Sequence, residues 1–255
     1  MSIRADNLTV VTVPRDLSEQ SLADFEQAVN TLLQRLPGGL ELDCSELGLV
    51  SSSHVNVLWT VREKCLEARV PLRLCHVTPG LIRILRILDL IEFFQLDTDL
   101  AEDKSLPLGQ TPPAEDDRRF EIDLKPKSEE ILDSLNRFRQ FLKDLKVDPM
   151  CALELEIVFY ETLTNIRAHG HVDAADLIKV RVEADDTAIE LTFIDGGRAF
   201  NPAENIPKHD AAQAVRSRQK HGFGLTMIVR MTDAMDYERV DDKLNVLKLK
   251  KYWSR

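Results

Sequence analysis

The sequence predicts two domains, an α/β unit followed by an α+β unit. Three observations carry that expectation. Between Asp97 and Arg119 the chain loses its periodic apolar residues and holds Pro107, Pro112 and Pro113 among acidic side chains, as a solvated linker does. Before that stretch, short apolar runs alternate with helical periods, the pattern of a sheet covered by helices. After it, two long helical periods stand beside paired strands, the pattern of an α+β unit. A chain of 255 residues has room for two domains of ordinary size, at 1–100 and 119–255 with a linker at 101–118.

In the first domain, Asn7 to Pro14 (NLTVVTVP) reads as a strand stopped by proline. Ser18 to Leu36 places Leu22, Phe25, Val29, Leu32 and Leu33 at helical spacing and ends at Pro37-Gly38-Gly39. Leu40 to Asp43 is a short strand, His54 to Ala68 a second helix, and Pro71 to Cys75 another strand. Thr78 before Pro79 is a cap residue ahead of a proline that has no N–H to lose, so a helix runs from there to Leu90. The sheet is mixed or parallel, with helices over it. In the second domain, Phe120 to Leu124 is a strand, and Ser128 to Leu145 and about Ala152 to His169 are helices. Strands Ile178–Ala184 and Ile189–Asp195 join at Asp185-Asp186. A helix from Gly224 to about Asp236 and strands through Tyr237 and Val246–Tyr252 complete the unit.

With 44% apolar residues the chain can fill two cores, which excludes disorder. Its net charge of −10 argues against nucleic-acid binding, which needs a basic surface to displace counterions. Residues 1–105 hold 10 basic against 16 acidic side chains and residues 119–255 hold 22 against 24, so the acid surplus lies in the first domain and linker. The start, Met1 to Asp6, lacks the apolar core of a signal peptide. Leu81 to Leu96 is interrupted by Arg83, Arg86, Asp89 and Glu92 and cannot span a bilayer. Cys44, Cys65, Cys75 and Cys151 show no metal-ligand spacing and read as reduced, mostly buried thiols. A cytoplasmic protein without membrane or direct nucleic-acid contact is expected.

Ser51, Ser52 and Ser53 stand at the mouth of the second helix. Two readings stay open: they are N-caps, or one of them takes a phosphate, which the unsatisfied N–H groups of a helix start tolerate. This strand–loop–helix run, followed by PLRLCHVTPGLIRILRILDLIEFFQL, resembles the STAS domain of bacterial anti-sigma-factor antagonists over about residues 5–100. That family's loop reads approximately Asp-Ser-Ser/Thr-Gly, its first Ser accepting phosphate. The resemblance therefore makes Ser52 the candidate acceptor, with Ser51 where Asp is usual and His54 where Gly is usual.

In the second domain, Glu161, Asn165 and His169 recur at i, i+4 and i+8, on one helix face. Such a stripe is either solvated or the lining of a polar cavity, where an amide oxygen suits Mg²⁺ and a carboxylate can accept a hydroxyl proton. Asp195-Gly-Gly-Arg-Ala-Phe-Asn-Pro202 follows a strand, and His221-Gly-Phe-Gly-Leu225 opens a helix whose glycines let backbone N–H groups approach a phosphate. Each motif alone is weak; the three in this order, 30 and 27 residues apart, are a strong joint signal.

Together they resemble the GHKL (Bergerat) ATP-binding fold, an α+β two-layer sandwich, over about residues 119–252. The Phe-Asn-Pro after the first glycine box favours the branch of bacterial anti-sigma-factor serine kinases. That resemblance implies Mg²⁺ on Asn165, a catalytic base at Glu161, and nucleotide contacts from His169, Asp195, Gly197, Gly222, Phe223, Gly224 and Leu225. Asp195 is to accept the adenine amine and Gly197 to let the base pack closely. Lys220 stands where the family often has an Arg for the γ-phosphate, a point charge in place of a bidentate fork. The implied function is partner switching: Mg·ATP phosphorylates a serine on a STAS-domain antagonist, in trans or on the chain's own STAS domain, and so controls a sigma factor or other partner. The alternative is a non-catalytic ATP-binding adaptor that sequesters its partner. A homodimer stays open.

Overall fold

A computed structural model describes residues 8–15, 19–35, 38–96, 118–170, 177–205 and 223–253. They fall into two compact units, one holding residues 8–96 and Phe223 and the other 118–205 and 224–253.

The first unit runs β1 (Leu8–Thr12), α1 (Glu19–Leu33), β2 (Gly39–Asp43), α2 (Ser52–Ala68), β3 (Leu72–Cys75) and α3 (Pro79–Ile87). The strands pair in the order β1-β2-β3, and both ladders are parallel. Of the two arrangements left open by the sequence, the described strands therefore take the parallel one. Parallel neighbours need a crossover, and α1 and α2 supply it. Leu40 and Leu42 are buried while Glu41 and Asp43, which alternate with them, are half-buried, so one face of the sheet carries the core. Helix α2 buries Val55, Leu58, Val61 and Cys65 and packs against α1. Thr78 accepts a hydrogen bond from the Leu81 N–H at 3.2 Å with Pro79 in the first turn, as the Thr-Pro pair predicts.

Ser51 is the N-cap of α2 and is 1% exposed; its N–H donates to His54 Nδ1 at 3.3 Å, and its Oγ stands 3.1 Å from the same nitrogen. Because Nδ1 accepts there, the ring proton lies on Nε2, which donates to the Pro14 carbonyl at 3.3 Å. The capping reading thus holds for Ser51. Ser52 is the first helical residue, half-buried, and Ser53 is exposed.

The second unit runs β4 (Arg119–Leu124), α4 (Ser128–Asp144), α5 (Pro149–His169), β5 (Ile178–Ala184), β6 (Ala188–Asp195), α6 (Phe223–Met231), β7 (Ala234–Val240) and β8 (Leu244–Tyr252). The five strands form an antiparallel sheet in the order β4-β5-β6-β8-β7. Helices α4 and α5 pack on it through a ring cluster: Phe138 stacks on Phe159 at 4.5 Å, and Phe120 and Phe193 join from the sheet. Helix α5 begins at Pro149, earlier than apolar periodicity alone places it, because the Asp148 carboxylate accepts from the N–H groups of Met150 and Cys151 at 2.9 and 3.1 Å. Helix α6 ends at Met231, earlier than the expected Asp236. Asp233 turns the chain onto β8, its N–H donating to the Lys250 carbonyl and its carboxylate accepting from the Tyr252 N–H. Sheet bonds there override the helical period.

Among the described residues no helix is long and apolar enough to cross a membrane. Cys44 and Cys65 are buried and Cys75 and Cys151 half-buried, all four free. Burial pushes their thiols up, to about 12 for Cys44 and about 11 for the others.

Candidate functional site

The antiparallel register builds the site. Asp195 ends β6 directly opposite Asn245 of β8, and Asn245 lies opposite Arg239 of β7. Residues opposite one another in antiparallel ladders project from the same face, so the three form a row across three strands. Asn245 Nδ2 donates to Asp195 Oδ1 and to the Arg198 carbonyl, both at 2.9 Å. Its Oδ1 accepts from the Tyr237 hydroxyl at 2.7 Å and from Arg239 at 2.8 Å. All four positions of the Asn245 amide are thereby used or crowded by a partner, which fixes Asp195 from behind.

Asp195 is 5% exposed, and Oδ1 also accepts from the Gly197 N–H at 2.8 Å. Every hydrogen bond it makes among the described residues falls on Oδ1. Oδ2 takes part in neither bond, and Asp195 lines a pocket of about 540 Å³, open mouth included. Ile166, Phe200, Leu225, Ile228 and Leu247 give that pocket apolar walls, and Thr162, Asn165, His169, Asp195, Tyr237 and Asn245 give it polar groups. A concave apolar slot with a few fixed polar atoms suits a flat heteroaromatic ring.

Gly197 is required by the loop itself. A Cβ there would collide with the Gly170 carbonyl oxygen and come within 2.8 Å of Asp195 Oδ1. The loop after β6 is tied to the end of α5 at that point, the Arg198 N–H donating to the Gly170 carbonyl at 2.7 Å. Gly196, by contrast, faces open space.

Glu161, Asn165 and His169 do lie along one face of α5, and the face dives inward: His169 is exposed, Asn165 half-buried and Glu161 2% exposed. Asn165 and His169 line the pocket, and Glu161 is not on its wall. Phe223, Gly224 and Leu225 form the first turn of α6, and Leu225 reaches the pocket. Lys220 and Gly222 lie outside the described residues, as do residues 101–117 of the linker. Asn245, Tyr237 and Arg239 carry no role in the sequence reading. The available signal was an Asn and an Arg inside strands, where neither is a preferred residue.

Residues 128–251 match the family described as "Histidine kinase-like ATPase domain", and residues 3–96 match the family described as "Mlab, STAS domain". The chain joins a STAS domain to a histidine kinase-like ATPase domain. The ATPase domain is the second unit, and its family implies ATP binding, with which the acceptor on Asp195 and the apolar slot agree. No curated protein matches the sequence. Among solved structures, the SiaB-SiaC complex from Pseudomonas aeruginosa is similar at 16% identity and a TM-score of 0.40, over 54% of this chain and 92% of that one. The RsbU and RsbW domains of Rv1364c from Mycobacterium tuberculosis are similar at 14% identity and a TM-score of 0.38, over 54% of this chain and 33% of that one.

Proposed function

We infer that this protein is a partner-switching regulator whose ATPase domain binds Mg·ATP and phosphorylates a serine on a STAS-domain protein. The observation that supports it is Asp195: a pocket-lining carboxylate locked through Oδ1 by Gly197 and Asn245, with Oδ2 unused by those bonds, is suited to accept an exocyclic amine. Asn165, on the pocket wall, would hold Mg²⁺ through its amide oxygen; the metal would neutralise charge on the phosphates. In the transfer, the serine oxygen bonds to the γ-phosphorus, the bond to the β-phosphate oxygen breaks, ADP leaves, and the serine proton passes to Glu161. The substrate is a STAS antagonist that governs a sigma factor or other partner, or the chain's own Ser52, which is half-buried and not the helix cap.

The adaptor reading draws on one observation. Glu161 is 2% exposed and off the pocket wall, which suits a structural carboxylate as well as a base. Incubating the full chain with γ-labelled ATP and candidate STAS proteins separates the two. Transfer that falls about 100-fold or more in Glu161→Gln, with ATP affinity kept, supports the kinase. ATP-dependent partner binding with no transfer supports the adaptor, and no ATP binding rejects both.

A further inference from the structure

Strand register gathers three metal-ligating side chains at the carboxyl end of the parallel sheet, where ligands of α/β sheets collect. Asp43 ends β2 and lies opposite Cys75, which ends β3. Paired positions share a face, so carboxylate and thiol project to the same side. The next residue, His76, has a φ of 49°, a left-handed conformation in which His, Asn and Asp are enriched. Its Nδ1 stands 3.0 Å from Asp43 Oδ1, although the two residues are 33 positions apart. One ligand atom from each of Asp43, Cys75 and His76 lies within 4.8 Å of the other two. Two neighbouring groups prepare the set. The Ser45 N–H donates to Asp43 Oδ1 at 2.9 Å, and that bond, with those from the Ser45 hydroxyl and His76, holds the Asp43 carboxyl below the usual range. Glu41, on the same face of β2, accepts a hydrogen bond from the Cys75 thiol. Motif spacing misses all this, because the third ligand arrives by strand pairing.

We propose that Asp43, Cys75 and His76 form a binding site for Zn²⁺ in the STAS domain. A carboxylate oxygen, a sulfur and an imidazole nitrogen are the donor types that zinc takes. Metal–ligand bonds of about 2.0–2.3 Å put the donors of one tetrahedral ion roughly 3.3–3.8 Å apart, so the set closes by side-chain movements of about 1 Å. On binding, the Cys75 S–H bond breaks, the proton passes by way of Glu41 to solvent, and the sulfur bonds the metal. His76 turns Nδ1 from Asp43 to the ion and stays neutral. The Asp43 carboxylate and the Cys75 thiolate then balance the charge of the cation, while the Ser45 N–H keeps the carboxylate oriented. The His76 side chain is 69% exposed, so the fourth position opens to solvent and takes water. The site uses no residue of the ATP pocket.

The test reads the metal–sulfur bond directly. The full chain, stripped of metal by a chelator and free of nucleotide, is titrated with Co²⁺, a zinc substitute whose bond to a thiolate gives a near-ultraviolet charge-transfer band. Wild type is expected to develop the band with one equivalent of Co²⁺ and to lose it when Zn²⁺ is added. Cys75→Ser should abolish the band, whereas Cys151→Ser, at a half-buried thiol of the second unit, should keep it. Asp43→Asn keeps the oxygen that the Ser45 N–H holds, and His76→Asn tolerates the left-handed backbone. Each should weaken Zn²⁺ binding by at least the roughly 10–100-fold that losing a hydrogen-bond partner of a ligand costs. If Cys75→Ser fails to fold, alkylation of wild type decides: Zn²⁺ should slow labelling of Cys75 severalfold and leave Cys151 unchanged. No thiolate band in wild type, a band that survives in Cys75→Ser, or Asp43→Asn and His76→Asn variants that bind Zn²⁺ like wild type would each overturn the proposal. Equal labelling of Cys75 with and without Zn²⁺ overturns it too.

Discussion

Replacing Asp195 by Asn changes one pocket atom and little else. Two N–H donors, from Gly197 at 2.8 Å and Asn245 at 2.9 Å, converge on Oδ1. An amide placed there must keep its oxygen at that position, so its NH₂ is forced to where Oδ2 was. The group facing the slot turns from a charged acceptor into a donor. The lost hydrogen bond to a charged group is worth about 1.5–3 kcal/mol, roughly a ten- to hundredfold rise in Kd for ATP, and donor facing donor adds to it. Stability should fall by only about 1 kcal/mol, because both bonds behind the residue survive in neutral form. Calorimetry with ATP and with inosine triphosphate, beside a thermal melt, reads all three quantities. The 6-oxo nucleotide accepts from the new NH₂, so its affinity relative to ATP should rise. Unchanged ATP affinity, or a ratio of the two nucleotides that does not move, would refute the placement of the base against Oδ2.

Three further outcomes follow from packing and burial. Gly197→Ala drives a Cβ into the Gly170 carbonyl and should cost about 1–3 kcal/mol in urea unfolding while weakening ATP binding, as the loop withdraws from α5. Phe138→Ala removes a ring that is 0% exposed and stacked at 4.5 Å on Phe159, a loss of about 3–5 kcal/mol by denaturant titration, whereas Leu132→Ala at 40% exposure should stay within about 0.5 kcal/mol. Iodoacetamide should label Cys75 and Cys151 about 100-fold more slowly in the native than in the unfolded chain at pH 8, since their thiols lie near 11 against an ordinary 9.0. Because the folded value is the higher one, this contribution to stability is whole below pH 9 and is lost as pH climbs toward 11; mass spectrometry of labelled peptides across pH checks it.

Element order was legible because the strands and helices of the ATPase domain carry their own period and punctuation, as Asp185 shows. The Asp185 carboxylate closes the β5–β6 turn by accepting from the Thr187 hydroxyl and from the Thr187 and Ala188 N–H groups, and those bonds hold its carboxyl below the usual range. The edges were misjudged where a distant partner decides. Nothing near Asp233 in the chain announces that Lys250 and Tyr252 will capture it. The same holds at the site. Asp195 and Asn165 were visible through motif spacing, but Asn245 is joined to Asp195 by strand register across 50 positions.

Arg239 gives the edge of that sheet an unusual duty. β7 is an outer strand, and outer strands open first in amide exchange. This one is stitched inward, since Arg239 donates to the Gly197 carbonyl and to Asn245 at 2.8 Å each, and the Tyr237 hydroxyl donates to Asn245 while accepting from the Phe200 N–H. Fraying of β7 therefore dismantles the support of Asp195, and under the proposed nucleotide reading a base seated there would resist the fraying. Recognition and local opening become one equilibrium. Deuterium uptake across residues 234–240 is then a gauge of pocket occupancy, slowing when ATP is added and returning to the free rate in Asp195→Asn.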